Sequence, residues 1–141
     1  MDATIHDDLK PYMVRSGEGV NTFDASVKAS RISTGGRFTF IESHTKGGAP
    51  LHVHSKEDEY LYVIKGKIIV SCGEEVFEAE QGSFIFLPRN IPHSWDVVGD
   101  IATILMMTVP AMLEEFLSEF HKANSKETKN QVAVKYGITF L

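Results

Sequence analysis

Short apolar and aromatic runs, broken by Gly, Pro or Asn at roughly eight- to twelve-residue spacing, fill the chain from about Val20 to Val109, which is the pattern of a β-sandwich or small barrel. Arg37-Phe38-Thr39-Phe40-Ile41 alternates in character after Gly35-Gly36, and Leu51-His52-Val53-His54 follows the break Gly47-Gly48-Ala49-Pro50. Both are predicted strands joined by a turn. Tyr60 to Ile64 runs into Lys65-Gly66-Lys67 and out through Ile68 to Cys72, and after Gly73-Glu74 the segment Glu75 to Glu78 returns as another hairpin. Phe84 to Leu87, His93 to Val98 and Ile101 to Val109 complete the predicted strands.

Beyond Pro110 the period changes. Leu113, Phe116, Leu117 and Phe120 recur at helical spacing with Glu114, Glu115, Ser118 and Glu119 between them, so an amphipathic helix of about three turns is predicted. Its apolar stripe is expected to cover the outside of the barrel or a neighbouring subunit. Asn124 to Glu127 reads as a break, Thr128 to Tyr136 as a second short helix ended by Gly137, and Ile138 to Leu141 as an edge strand. The resulting division is an N-terminal arm over residues 1–20, a β-barrel over 21–110, and a helical extension over 111–141 that packs on the barrel or on a partner subunit.

Composition narrows the functional classes. The chain's 141 residues are 43% apolar, enough for one sizeable core rather than two domains. Its 14 Lys+Arg against 19 Asp+Glu give a net charge of -5, with no basic excess to hold a phosphate backbone, so nucleic acid is not an expected partner. Apolar runs such as Ile104-Leu105-Met106-Met107 are too short to cross a bilayer, and Met1 to Lys10 lacks a signal peptide's basic and apolar regions. A cytoplasmic protein without a membrane partner is the expectation. The single cysteine, Cys72, has no internal partner and no basic neighbour in sequence, so it reads as a small buried apolar residue.

The chemistry concentrates in the histidines. Side chains two apart on a strand project to the same face, so His52 and His54 can grip one ion. Of the acids Glu57-Asp58-Glu59 that follow, Glu59 shares a strand face with Leu61 and Val63, whereas Glu57 and Asp58 are expected to be turn residues exposed to water. Leu87-Pro88-Arg89-Asn90-Ile91-Pro92 forms a stiff turn delivering His93 to the start of another strand. Three imidazoles and a carboxylate suit divalent iron, manganese, cobalt, nickel, copper or zinc, and leave positions open for water or substrate. The bland alternative is four ordinary strand-end polar residues.

These residues resemble the cupins. The first cupin motif runs Gly, five residues, His-x-His, three or four residues, Glu, six residues, Gly; here His52-Val53-His54, Glu59 and Gly66 match, and Gly47 stands one position closer to His52 than the motif expects. The second runs Gly, five residues, Pro-x-Gly, two residues, His, three residues, Asn; here Gly82, Pro88 and His93 match, Asn90 replaces a glycine, and Val97 replaces the final Asn. Asn also enters left-handed turns, and neither change removes a ligand. The resemblance covers residues 39–109 and implies an all-β, double-stranded β-helix or jelly-roll barrel with His52, His54, Glu59 and His93 as metal ligands near one mouth. It further implies a single-domain cupin that forms homodimers, and the extension after Pro110 is similar to that of small quercetin dioxygenase-like cupins.

In those proteins the metal-bound substrate is deprotonated with help from the ligand Glu, which implies a double role for Glu59 as ligand and catalytic base. The leading expectation is a metal-dependent dioxygenase of small phenolic or enolisable substrates. The same cage also suits a non-catalytic small-molecule binder or a metal-dependent sugar or keto-acid isomerase, because a fold does not dictate its reaction. An oxygenase calls for an apolar, aromatic pocket, an isomerase for extra charged groups beside the metal. His6, His44 and His121 are expected in surface or structural roles, with His44 the nearest to the pocket, and Trp95 as either pocket wall or core.

Overall fold

The computed structural model describes residues 8–22 and 25–141; His6 and the first seven residues of the expected arm lie outside the described residues. Among the described residues, eleven strands and two helices follow in order: β1 (Val20–Thr22), β2 (Ala25–Ala29), β3 (Thr39–Thr45), β4 (Ala49–His54), β5 (Asp58–Lys65), β6 (Ile68–Cys72), β7 (Glu75–Ala79), β8 (Phe84–Leu87), β9 (His93–Val97), β10 (Ala102–Val109), α1 (Leu113–Lys122), α2 (Lys126–Lys135) and β11 (Ile138–Phe140). They form a six-stranded sheet, β1-β2-β3-β10-β5-β8, and a five-stranded sheet, β11-β4-β9-β6-β7, with antiparallel pairing throughout. This is the β architecture with a C-terminal helical extension that the residue pattern predicts, and the all-β jelly roll that the cupin resemblance implies. No helix among the described residues is long and apolar enough to cross a membrane.

Period-two alternation explains where the core sits. Ile41 of β3, Leu61 and Val63 of β5, and Ile104 of β10 are buried from the six-stranded sheet, and Ile68 and Val70 of β6 with Trp95 of β9 from the five-stranded one. Leu61, Val63, Ile68, Val70, Trp95 and Ile104 belong to one continuous cluster, each burial contributing about 1.5–3 kcal/mol of transfer free energy. The register places Met106 opposite both Ile41 and Leu61, so one side chain of β10 bridges its two neighbours. Val97 follows Trp95 toward the core but stays only partly buried.

The third strand differs from its sequence reading. It runs Thr39–Thr45 rather than Arg37–Ile41 because Arg37 and Phe38 belong to a loop organised by the buried Thr34 hydroxyl. Thr34 Oγ1 lies 2.8 Å from the Ser30 carbonyl, 3.0 Å from the Phe38 carbonyl and 3.2 Å from the Phe38 amide. The inner face continues instead through Ser43 and Thr45, both buried, whose small polar side chains do not read as core. The second helix starts at Lys126, two residues before the predicted Thr128, because Ser125 and Thr128 form a reciprocal capping box.

The extension forms its own cluster, in which Leu113, Phe116, Ala133, Tyr136 and Ile138 pack with Ala25, Ile41 and Met112. The helix α1 therefore does not lie on the outside of the barrel. Its stripe faces into the space between the two sheets, and β11 extends the five-stranded sheet beside β4 with Ile138 opposite His54 and Phe140 opposite His52.

Two backbone positions hold the site strands in place. A side chain at Gly48 would stand 1.8 Å from the Trp95 carbonyl oxygen, so only glycine allows β4 and β9 to approach this closely. Asn90 has φ 69°, and its amide donates to the His54 carbonyl at 2.7 Å, joining the turn before His93 to the strand that carries His54. Asn90→Gly should leave the urea midpoint nearly unchanged, whereas Asn90→Val should lower stability by about 1–2 kcal/mol, the cost of forcing a β-branched residue into the left-handed region.

Candidate metal centre

His52 and His54 project from β4, Glu59 from β5 and His93 from β9, and all four are buried. The three histidines each offer a ring nitrogen within 4.8 Å of the others. Their rings pack with centroids 4.8 Å apart for His52–His54, 4.4 Å for His52–His93 and 5.3 Å for His54–His93. Glu59 adjoins this group at one side, its Oε1 3.5 Å from His54 Nε2. Two chain segments far apart in sequence thus meet because β4 pairs with β9, His52 directly opposite His93.

Hydrogen bonds on the outer nitrogens decide what the inner ones present. His52 Nδ1 donates to the Pro50 carbonyl at 2.6 Å and His54 Nδ1 donates to Glu57 Oε1 at 3.0 Å, which assigns the tautomers from their partners. With both rings neutral, the two Nε2 lone pairs face each other at 3.1 Å. Neither ring nitrogen of His93 has a hydrogen-bond partner among the described residues, although the ring is fully buried. Facing lone pairs and unpartnered buried imidazole nitrogens are costly, and one cation shared among the three rings relieves both. The donor set fits a divalent transition metal.

Electrostatics keep two of the rings neutral and favour a proton on His54 and Glu59. Burial pushes the His93 pKa down to about 3, helped by His52 and His54; the Ile91 carbonyl opposes this without hydrogen-bond geometry. Burial also lowers His52, against the Pro50 hydrogen bond. For His54 burial works against the charged form, but the Glu57 hydrogen bond and the charges of Glu59 and Glu57 outweigh it and raise the pKa. Burial raises Glu59 to about 7, with His54 opposing and Glu57 reinforcing the rise.

Glu57 corrects the sequence reading. It is fully buried rather than a turn residue in water, because the chain doubles back after His54 and brings its carboxylate beneath that ring. An outer carboxylate of this kind fixes the orientation of a ligating imidazole and raises its basicity. Asp58 is likewise not a free turn residue. It opens β5, and its carboxylate accepts from Arg89 N (2.9 Å), Nε (3.2 Å) and Nη2 (3.2 Å), contacts that hold its pKa below the usual range. This clamp ties the loop delivering Glu59 to the turn delivering His93.

A cavity of about 580 Å³ opens onto His52, His54 and Glu59. Trp95 lines it while also packing in the core, so both readings of that residue hold at once. The remaining wall includes Met106, Leu113, Phe116, Leu117, Phe120 and Phe140. The sequence reading missed the α1 and β11 contributions, since a helical apolar stripe looks the same whether it covers a barrel's outside or its mouth. Exposed His44 lies 3.0 Å from Thr103 Oγ1, and His121 is exposed on α1; neither lines the cavity. Cys72 is buried, and burial raises its thiol pKa.

The sequence pattern of the cupin domain matches residues 39–109, and the chain belongs to the cupin family. It is 36% identical over 91 residues to quercetin 2,3-dioxygenase of Bacillus subtilis, a match spanning 60% of this chain but only 27% of that enzyme. It is 25% identical over 100 residues to an uncharacterised protein of Methanocaldococcus jannaschii, covering 70% of this chain and 77% of that one. Among solved structures, BH2720 of Bacillus halodurans superposes with TM-score 0.61 at 17% identity, covering 77% of this chain and 87% of that one. The nucleoside dehydratase Pac13 superposes with TM-score 0.55 at 16% identity, covering 75% and 86% respectively. At these identities the superpositions establish the fold alone.

Glu57→Gln should leave the fold intact and weaken cobalt or manganese binding by about 10–100-fold, measured by calorimetry. Protons compete for the same atoms. Glu59, with a pKa raised to about 7, loses its negative charge as pH falls through that value, so wild-type metal affinity should be highest above pH 7 and decline below it.

Proposed function

We propose that this cupin is a metal-dependent dioxygenase of small phenolic or enolisable substrates, with His52, His54, His93 and Glu59 as metal ligands and Glu59 also as the catalytic base. The observation that carries the reading is the apolar, aromatic cavity opening onto the imidazole cluster, with no Lys or Arg among the described residues of its wall. A sugar or keto-acid isomerase needs charged groups there to handle hydroxyls and protons. The 36% identity to the Bacillus subtilis dioxygenase supports the same direction over the matched part.

When bound, the metal supplies Lewis acidity toward a substrate oxygen and a redox-active centre for dioxygen chemistry. The protein's residues do the rest. The apolar wall excludes water and holds the substrate's ring, while His52 and His54, fixed from behind by Pro50 and Glu57, present their Nε2 atoms without reorganisation. Glu59 accepts the phenolic or enolic proton at a carboxylate oxygen, and a pKa near 7 suits a group that must take up and release a proton near neutrality.

Oxygen uptake by protein loaded in turn with iron, manganese, cobalt, nickel, copper and zinc, against a panel of flavonols and diketones, is the test. Turnover is expected with at least one metal, and Glu59→Gln should reduce it by about 10²-fold or more. Silence with every metal would shift the reading to ligand binding or isomerisation.

We also propose a homodimer through the outer face of the six-stranded sheet. There Tyr62, Phe84 and Phe86 are exposed and Tyr60 stacks on both phenylalanines, with centroids 6.2 and 5.2 Å away. An aromatic patch across β5 and the edge strand β8 is a surface that self-association would cover. Light scattering should find a dimer for the wild type and a monomer for Phe84→Glu combined with Phe86→Glu.

A further inference from the structure

The cavity wall changes character where the cupin match ends. Residues within 39–109 supply the polar floor of His52, His54 and Glu59, with Trp95 and Met106 beside it. Leu113, Phe116, Leu117, Phe120, Ile138 and Phe140 all lie outside the match and line the same space. Three of them form a run of rings that ends on a candidate ligand. Phe116 to Phe120 is 5.1 Å between centroids, Phe120 to Phe140 is 5.6 Å, and Phe140 to His52 is 5.9 Å.

The backbone under these rings is held in place. Lys129 Nζ donates to the Phe120 carbonyl at 2.7 Å and sits 4.5 Å over the Phe120 ring. Phe140 is opposite His52 in the β11–β4 register, and the next residue's amide, that of Leu141, donates to the Leu51 carbonyl at 3.1 Å. The backbone positions that carry the rings are fixed, so ligand binding has little main-chain ordering left to do. A volume of about 580 Å³ lies inside the range of roughly 300–1,000 Å³ that takes drug-sized ligands, far more than a compact diketone fills.

We propose that the C-terminal extension is the specificity element of the site, and that Phe116, Phe120 and Phe140 select an extended planar phenol over a compact enolisable diketone. The flat ring system lies along the three phenylalanines and its oxygen-bearing end faces His52 and His54. This deepens the dioxygenase reading and rests on it only for the orientation of the polar end. The barrel holds the chemistry and the extension chooses what reaches it.

The test uses the full chain without metal, so that binding is separated from turnover. Trp95 is the single tryptophan and lines the cavity, and its fluorescence therefore reports occupancy. Quercetin and pentane-2,4-dione serve as the extended and compact probes. Metal-free wild type should bind quercetin, and Phe120→Ala and Phe140→Ala should each raise its Kd by about ten-fold, the loss expected when an aromatic contact and its buried area are removed. The Kd for pentane-2,4-dione should move by less than about two-fold. Phe120→Leu and Phe140→Leu, which keep apolar bulk but remove the ring face, should also weaken quercetin binding, and all variants should take up metal as the wild type does.

Unchanged quercetin affinity in the variants, equal weakening of both probes, or no quercetin binding by the wild type would overturn the proposal. The two readings fail separately. Oxygen uptake with unchanged quercetin affinity in the variants would sink the specificity role and leave the dioxygenase standing, while ring-dependent binding without oxygen uptake would do the reverse.

Discussion

Two imidazole nitrogens facing each other at 3.1 Å inside a buried site are the constraint around which this protein is arranged. The Pro50 carbonyl and the Glu57 carboxylate take the outer hydrogens of His52 and His54 and so turn both lone pairs inward. His93 adds two more buried nitrogens without partners. In water such a cluster would disperse or protonate; behind the barrel wall protonation is resisted at His52 and His93 by burial. A shared cation is the arrangement that satisfies all three rings together, and the strand geometry presents them ready for it.

That geometry depends on how closely β4 can be flanked. On one side β9 approaches at Gly48, where no side chain fits against Trp95, and brings His93 opposite His52. On the other side β11 pairs with the same strand and sets Phe140 against His52. The Asp58–Arg89 clamp and the hydrogen bond from Asn90 to the His54 carbonyl lock together the two loops that carry the candidate ligands. One strand therefore serves as the shared wall of the candidate metal centre, the barrel and the C-terminal extension, which is why the cavity has a polar floor and an apolar roof.

Much of this was legible in the residues. His52 and His54 announce a common face because a strand's side chains alternate, and Glu59, Leu61 and Val63 were assigned to one face by the same rule; all three are buried. Glu57 was not legible. Its burial follows from a chain reversal after His54, and nothing local marks one acid among three as the inward one. Ser43 and Thr45 are illegible for the opposite reason: they occupy inner positions of β3 without being apolar, since a cavity wall does not need the hydrophobicity of a packed core.

The sequence by itself determined the β architecture, the helical extension and the identity of the histidines, because strand and helix periods and ligand spacing are local properties carried by neighbouring residues. Tertiary structure alone decided that α1 faces the space between the sheets rather than the outside, that Phe140 stands beside His52, and that Glu57 is an inner partner. Each of those depends on which surfaces meet after the chain has closed on itself. An apolar stripe or an acidic triplet encodes that a face will be buried or charged, but not what it is buried against.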